Sequence, residues 1–600
     1  MKKILFIVSA CALLIGCKPT APLQVRMNQV GFRPDQEKTA TIDVPSPDAQ
    51  PCYVAITNDE GDLLWHGVAS ETMLNPISGK PRQIIDFSYF DKPGNYLLYV
   101  DNGLSPFTCP FTISEHPYRE LTRKALRAFF YQRASMDIVE PYAEGYERKA
   151  GHPDDKVLVH ASAATAERPE GTVISCPGGW YDAGDYNKYI VNSGFTMGVW
   201  LMAYEMNKEY FDQLALNIPE SGQPVPDMLA EAMYNLRWML TMQDTDGGVY
   251  HKLTEADFEG FIRPDECQKT RYVVLKTTAA ALDFAATMAL AARVYAPFET
   301  AYPGFVAEAT EAAKRAYAWA EANPAVYYDQ PKMNAEFAST SCPSGAKNEP
   351  QSPEITTGAY DDFDVNDEFY WAEIELNLLT GDDKYKAHVA DHARAIAENL
   401  AKAGKHYLPA TWGGVAELAY FDLLLNGKTD ADALVEYLQP YLDEAETVSV
   451  HRSPYGNSVE DFFWGCNSEG CCWRGVECLF AYRFTGDERY RINAERCLNY
   501  ILGQNATGYC YVTGFGTKPA SHPHHRLSFS HPKGTHPGFL VGGPNPMRQD
   551  AITDGVKYPK DVPADESYLD EQPSYASNEV TINWNVTLFA LTAGLDALSR

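Results

Sequence analysis

Six hundred residues exceed what one hydrophobic core organises, so the chain divides into at least two domains, one of them large. The net charge of −30 excludes nucleic acid and other polyanions as partners, whereas a neutral polysaccharide is indifferent to it. Apolar residues make up 45% of the chain and aromatic residues 12%, with 37 Tyr and 10 Trp, enough both to pack cores and to line a surface that grips sugar rings.

The chain opens on a targeting segment. Lys2 and Lys3 precede an apolar run from Ile4 to Ile15, of signal-peptide length and too short for a permanent membrane helix. Leu14-Ile15-Gly16-Cys17 resembles a bacterial lipoprotein processing box. Cleavage before Cys17 would leave that residue to carry a lipid, with residues 18–24 as a tether; an ordinary signal peptide that happens to contain a cysteine is the alternative. The expectation is an exported protein, held to a bacterial membrane (the outer one by preference) through this anchor alone and exposed to the periplasm or the cell surface. No other segment reads as apolar enough to cross a bilayer. Of the 13 cysteines, Cys11 and Cys17 fall in the leader, which leaves an odd number, so at least one thiol has no partner. Cys52 and Cys109, in strand-like sequence at opposite ends of the next domain, could pair. Cys466, Cys471, Cys472 and Cys478 lack zinc-ligand spacing and read as buried thiols.

Residues 25–115 carry six short β-rich runs: 25–32, 38–44, 52–58, 83–90, 95–101 and 106–113. Turn signals such as Asp59-Glu60-Gly61 and Pro93-Gly94 separate them. That pattern predicts a small immunoglobulin-type β-sandwich. From about Tyr118 the apolar period becomes helical, with candidates at 119–134, 191–211, 226–243, 276–295, 305–323, 367–381, 385–402, 414–427, 430–442, 475–486, 489–503 and 579–599. Helices without intervening strands cannot build a parallel sheet; they suit a bundle, a solenoid or a closed α/α barrel, with function on the long loops.

Three of those segments carry chemistry. In Gly178–Tyr189, GGWYDAGDYNKY, Asp182 and Asp185 stand three apart across two small residues, with Trp180, Tyr181, Tyr186 and Tyr189 around them. A carboxylate that takes a proton from water needs a fixed position and space beside it, and aromatic faces suit sugar C–H faces. The plain reading is an Asx-turn leading into a helix. In Gly514–Arg526, His522, His524, His525 and Arg526 offer donors to hydroxyls and carboxylates; as a zinc site the run lacks defined spacing. In Tyr568–Asn585, Asp570 and Glu571 precede a short loop and Glu579 opens the last helix, where burial would raise its pKa as a general acid requires.

In order, spacing and wording these three segments resemble family 9 glycoside hydrolases, inverting cellulases built on an (α/α)6 barrel. The Met27-Asn28-Gln29-Val30-Gly31-Phe32 opening resembles the immunoglobulin-like module of one branch of that family. The resemblance covers almost the whole mature chain, with 25–115 as the module and 116–600 as the barrel. It implies an endo-acting β-1,4-glucanase on cellulose-like or branched glucans such as xyloglucan or mixed-linkage glucan. An exo-acting glycosidase on oligosaccharides and a non-catalytic glycan-binding lipoprotein are the alternatives. It assigns Asp185 as general base, Asp182 as its partner in orienting the water and Glu579 as general acid, and it matches His524 and Arg526 to the family's substrate-contacting pair and Asp570 to the second acid of its C-terminal signature. His524 and Asp570 are therefore counted with the catalytic group and Arg526 with the substrate contacts; by residue type and position His525, Trp180, Tyr181 and Tyr575 are further candidate substrate contacts. No cofactor is required, and a monomer is expected. Some relatives carry calcium at a phrase matched by Asp367-Glu368, although acids at a helix start are also ordinary caps. A structural zinc near the first motif would draw on Cys176, His152 and His160, with one cysteine lacking. One departure from the family pattern is Val586, where a small residue is usual; it should affect packing rather than chemistry.

Overall fold

The computed structural model describes residues 25–101, 106–338, 352–447, 453–456, 459 and 461–598. The leader, Cys17 and the tether lie outside the described residues.

Among the described residues eight strands form the first domain: β1 (Val25–Met27), β2 (Thr39–Asp43), β3 (Tyr53–Thr57), β4 (Leu63–Val68), β5 (Met73–Leu74), β6 (Pro81–Asp86), β7 (Gly94–Asp101) and β8 (Phe107–Ile113). They pair antiparallel into two sheets, ordered β1-β2-β6-β5 and β4-β3-β7-β8, whose inner faces bury Phe32, Ile42, Val54, Ile56, Ile85, Phe87, Leu98 and Phe111. Two strands beyond the six expected appear here. β4 is mostly exposed and β5 is two residues long, so neither shows an alternating apolar face. Cys52 and Cys109 are free thiols. Cys109 pairs in register with Leu98, and Leu98 with Ile56, so the two cysteines sit two strands and four residues apart. At strand spacings of about 4.8 Å and a rise of about 3.3 Å that is far beyond disulfide reach.

Among the described residues twelve long helices follow: α1 (Arg119–Gln132), α2 (Ile190–Met206), α3 (Asp227–Thr241), α4 (Thr278–Tyr295), α5 (Phe305–Ala322), α6 (Asn366–Thr380), α7 (Val389–Lys402), α8 (Ala416–Leu425), α9 (Asp432–Thr447), α10 (Trp473–Thr485), α11 (Glu488–Ile501) and α12 (Ile582–Asp596). The even-numbered six form an inner ring, each against the next, and α12 returns to α2 to close it; the odd-numbered six wrap outside. Burial follows this division. Every residue of α12 and the first fifteen of α2 are buried, as helices apolar on all sides must be, while α7 has no buried residue. The segment Thr278–Phe298 is long and apolar enough to cross a membrane, contrary to the sequence reading, but as the inner helix α4 it is packed inside the barrel. This is an (α/α)6 barrel.

The sandwich is fixed to the barrel by polar contacts. Gln29 N–H donates to Leu502 O at 2.9 Å, Arg33 Nη1 to Leu595 O at 2.6 Å, and Arg496 pairs with Glu37 at 2.7 Å. The loops at the barrel's open end contain one element that helical periodicity hides. Five short strands, β9 (Val157–Val159), β10 (Val173–Ile174), β11 (Lys188–Tyr189), β12 (Lys252–Thr254) and β13 (Tyr272–Val273), form a sheet ordered β10-β9-β13-β12-β11. Its edge strand β11 is the end of the GGWYDAGDYNKY loop.

Candidate active site

Backbone hydrogen bonds stitch the three motif segments together. Ile582 N–H donates to Asp182 O at 2.8 Å, Arg526 N–H to Gly184 O at 3.0 Å, and His524 N–H to Asn578 O at 2.8 Å. Glu579 does not open the last helix. It lies in extended backbone three residues before α12, bridged to His524, because the adjoining Val580 pairs with Val541 and Gly542 N–H donates to Glu579 O. The chain therefore passes Glu579 in extended backbone and becomes helical only at Ile582.

Asp182 is buried, with Oδ1 accepting from Asn192 Nδ2 at 2.7 Å and Oδ2 from the Tyr360 hydroxyl at 2.6 Å. Asp185 is 6% exposed; its Oδ2 accepts from Asn187 Nδ2 at 2.5 Å and from the Tyr189 hydroxyl at 3.1 Å. Both carboxyls have raised pKa values, through loss of water first. The second influence differs: repulsion from Asp185 raises Asp182 further, whereas the Arg526 guanidinium pulls Asp185 back down. The two titrate as a pair, and Asp185 is the member favoured to hold the negative charge.

Glu579 is only part-buried, yet protein crowds it closely enough that desolvation, followed by repulsion from Asp185, pushes its pKa up to about 8. It is therefore protonated at neutral pH. His524 stacks edge-on against Phe261 and Tyr575, and its Nδ1–H donates to Gln572 O at 2.9 Å. Burial and the nearby Arg526 hold its pKa at about 4, so it stays a neutral imidazole. Tyr575 forms the adjoining wall, with its ring 5.3 Å from the half-exposed Trp464.

Several expected contacts prove to be framework. Trp180 is fully buried among Phe129, Trp200 and Phe589, where α1, α2 and α12 close the barrel, and its Nε1–H donates to Glu231 at 2.9 Å. Tyr181 is buried against His152. Neither can stack on a sugar, because both rings are buried in the core. His525 is buried on Ser528 and Gln132. Asp570 takes hydrogen bonds from the backbone of Ser521 and His522 and from Asn578, so it shapes the histidine loop rather than entering the chemistry. Arg526 donates to Gly184 O and Glu259 O while its plane lies over Phe258 and Phe261; it grips the acid loop from outside. Residue type alone gave no signal for Asn187, Asn192 or Tyr360, which hold the two aspartates.

The metal expectations can be tested on the donors present. Asp367 Oδ2 accepts from Val415 N–H at 2.7 Å, while both Glu368 oxygens, both Asp283 oxygens and Asp362 Oδ2 are buried without a hydrogen-bond partner. Orphaned oxygens of this kind suit a hard cation, but no group of three or more His, Cys, Asp or Glu among the described residues is disposed to hold a metal. The residues as placed do not form a calcium cage. Cys176, His152 and His160 are likewise engaged elsewhere, with Thr241 O, with Tyr181 and Glu255, and with Ser162 and Pro353 O.

Comparison with known proteins places this geometry. A family model described as glycosyl hydrolase family 9 matches residues 118–592, and one for the cellulase N-terminal Ig-like domain matches residues 20–105. The chain belongs to glycosyl hydrolase family 9. This family 9 chain is 44% identical, over 98% of its length and 97% of the relative's, to a xyloglucan-specific endo-β-1,4-glucanase of Bacteroides ovatus. A solved Bacteroides ovatus family 9 structure superposes with a TM-score of 0.85 at 42% identity, covering 96% of this chain and 99% of that one. A metagenome-derived family 9 endoglucanase gives 0.78 at 31% identity, with coverage of 96% and 99%.

Proposed function

We propose that this enzyme is an endo-acting, inverting β-1,4-glucanase whose preferred substrate is xyloglucan. Glu579 is assigned as general acid and Asp185 as general base. The observation that carries the assignment is the backbone stitching of the acid loop at Gly184 to the His524–Arg526 segment, which is itself bridged to Glu579; it brings an acid with a raised pKa to the loop of an aspartate favoured as an anion. Glu579 delivers its proton to the glycosidic oxygen as the bond to the anomeric carbon breaks. Asp185 takes a proton from a water attacking the opposite face, and the configuration inverts. Such a pair needs a separation of about 6.5–9.5 Å to admit that water. Asp182, held by Asn192 and Tyr360, orients the water and resists a second negative charge beside Asp185. The neutral His524 and the Tyr575–Trp464 wall border the leaving sugar.

Xyloglucan is favoured by the 44% identical relative, which is specific for it. The test is hydrolysis of xyloglucan, mixed-linkage glucan and cellooligosaccharides by the parent, Asp185→Ala and Glu579→Ala. A rapid fall in xyloglucan viscosity, lost in both variants, is expected. Release of glucose alone would establish exo action, and retained hydrolysis in both variants would sink the assignment.

We also propose export and lipid attachment at Cys17, resting on the Leu14-Ile15-Gly16-Cys17 wording. Metabolic labelling with a fatty acid should mark the parent and leave Cys17→Ala unlabelled; equal labelling of the two would refute it.

A further inference from the structure

We infer that Asn187 is a positioning residue for Asp185, locked from behind by Arg271, and that it decides which oxygen of the base is free to accept a proton. The inference rests on the assignment of Asp185 as base. Asn187 is fully buried and has no access to substrate. Its Oδ1 accepts from Glu255 N–H at 2.9 Å, from Arg271 Nη1 at 3.2 Å and from the Thr254 hydroxyl at 3.2 Å. A backbone N–H and a guanidinium can only donate, so the amide oxygen must face them and the amide nitrogen must face Asp185. The orientation of the amide is fixed by its back side.

The small sheet explains why these groups meet. Asn187 immediately precedes β11, Glu255 immediately follows β12, and Arg271 immediately precedes β13. With β11-β12 and β12-β13 both antiparallel, the three fall in a row along one end of the sheet. Arg271 is itself tethered, donating from Nε to Asp154 at 3.1 Å and from Nη2 to Tyr186 O at 3.0 Å. Asp154 in turn pairs at 2.8 Å with Lys188, which donates to Gly178 O at 2.7 Å. Both ends of the acid loop are thereby tied to one buried network.

On the other side, Asn187 and Tyr189 together occupy Oδ2 of Asp185. Oδ1 takes no hydrogen bond from the described residues and is left for the water. The remaining charged or titratable groups facing Asp185 are Asp182, Glu579, Glu255, Arg526 and Lys252. None of these donates to Oδ2, so none replaces Asn187.

The test is the pH dependence of kcat and KM, with Tm, for Asn187→Ala, the nearly isosteric Asn187→Asp and Arg271→Lys. Losing a donor to the charged base should raise the acidic limb of kcat by about one pH unit and so lower kcat below that limb about tenfold, with KM within about twofold. Asn187→Asp, which sets a second carboxyl against Oδ2, should move the limb at least as far, with a Tm at or below the parent's, and Arg271→Lys should fall between. Limbs that coincide with the parent's in both Asn187 variants, or a loss equal at every pH, would overturn the inference. Full activity in Asp185→Ala would instead overturn the assignment beneath it.

Discussion

A methyl group on Gly184 would stand 2.4 Å from the carbonyl oxygen of His524 and 3.1 Å from Oε1 of Glu579. The acid loop and the strand bearing Glu579 thus meet at the one residue between the two aspartates that can have no side chain. This contact joins sequence positions nearly four hundred residues apart, and the barrel closure of α12 on α2 makes it possible.

Gly184→Ala is therefore expected to push the histidine strand and Glu579 out of place. The obstructing atom is backbone, which cannot rotate aside. Displacement by as little as ~1 Å costs about a hundredfold in rate when reacting groups are involved. The check is kcat on xyloglucan alongside Tm; an active Gly184→Ala enzyme would mean that the strands are not held as described.

The pH profile should fall on its alkaline side as Glu579, with its pKa pushed up to about 8, loses the proton it must donate. Glu579→Asp, which withdraws the carboxyl by one methylene, should lower kcat and shift that limb. An alkaline limb that stays in place in an active Glu579→Asp enzyme would assign the limb to another group.

The same carboxyl also links stability to pH. Its folded pKa lies above the ordinary Glu value, so the folded state binds the extra proton between about pH 4.5 and 8. That contribution is fully present below the unfolded pKa and is lost as pH rises through about 8. Glu579→Gln, which carries no titrating group, should have a higher Tm than the parent at pH 9 and a nearly equal one at pH 4.5. Tm differences that do not change between those two pH values would contradict the burial cost.

The proposed roles of Glu579 and Asp185 call on no cation. Removing divalent ions with EDTA is expected to leave both kcat and Tm in place. A fall in Tm restored by calcium would put an ion among Asp283, Asp362, Asp367 and Glu368.

Much of the framework was legible in the sequence because helices of 10 to 18 residues display their period. The inner helices showed as long apolar runs and the outer ones as stripes. The small sheet around the site was not legible: its strands are two or three residues long, too short for any alternation to register. The acids Asp182, Asp185 and Glu579 were readable as chemistry, but their surroundings misled. Trp180 and Tyr181 looked like sugar platforms because aromatic type does not reveal direction, and the chain turns them inward to seal the barrel. Tyr360 was invisible for the opposite reason. Nothing local distinguishes it, and it reaches Asp182 only through the fold.

The roles of Glu579 and Asp185 are separated most directly by an aryl β-cellobioside whose leaving group needs no protonation. Glu579→Gln should lose xyloglucan hydrolysis yet cleave the activated substrate at a rate within about tenfold of the parent, since removing a general acid costs about 10²–10⁴ only where a proton must be delivered. Asp185→Asn should fail on both substrates. Equal losses on both substrates for Glu579→Gln, or selective rescue of Asp185→Asn instead, would contradict the assignment of acid and base.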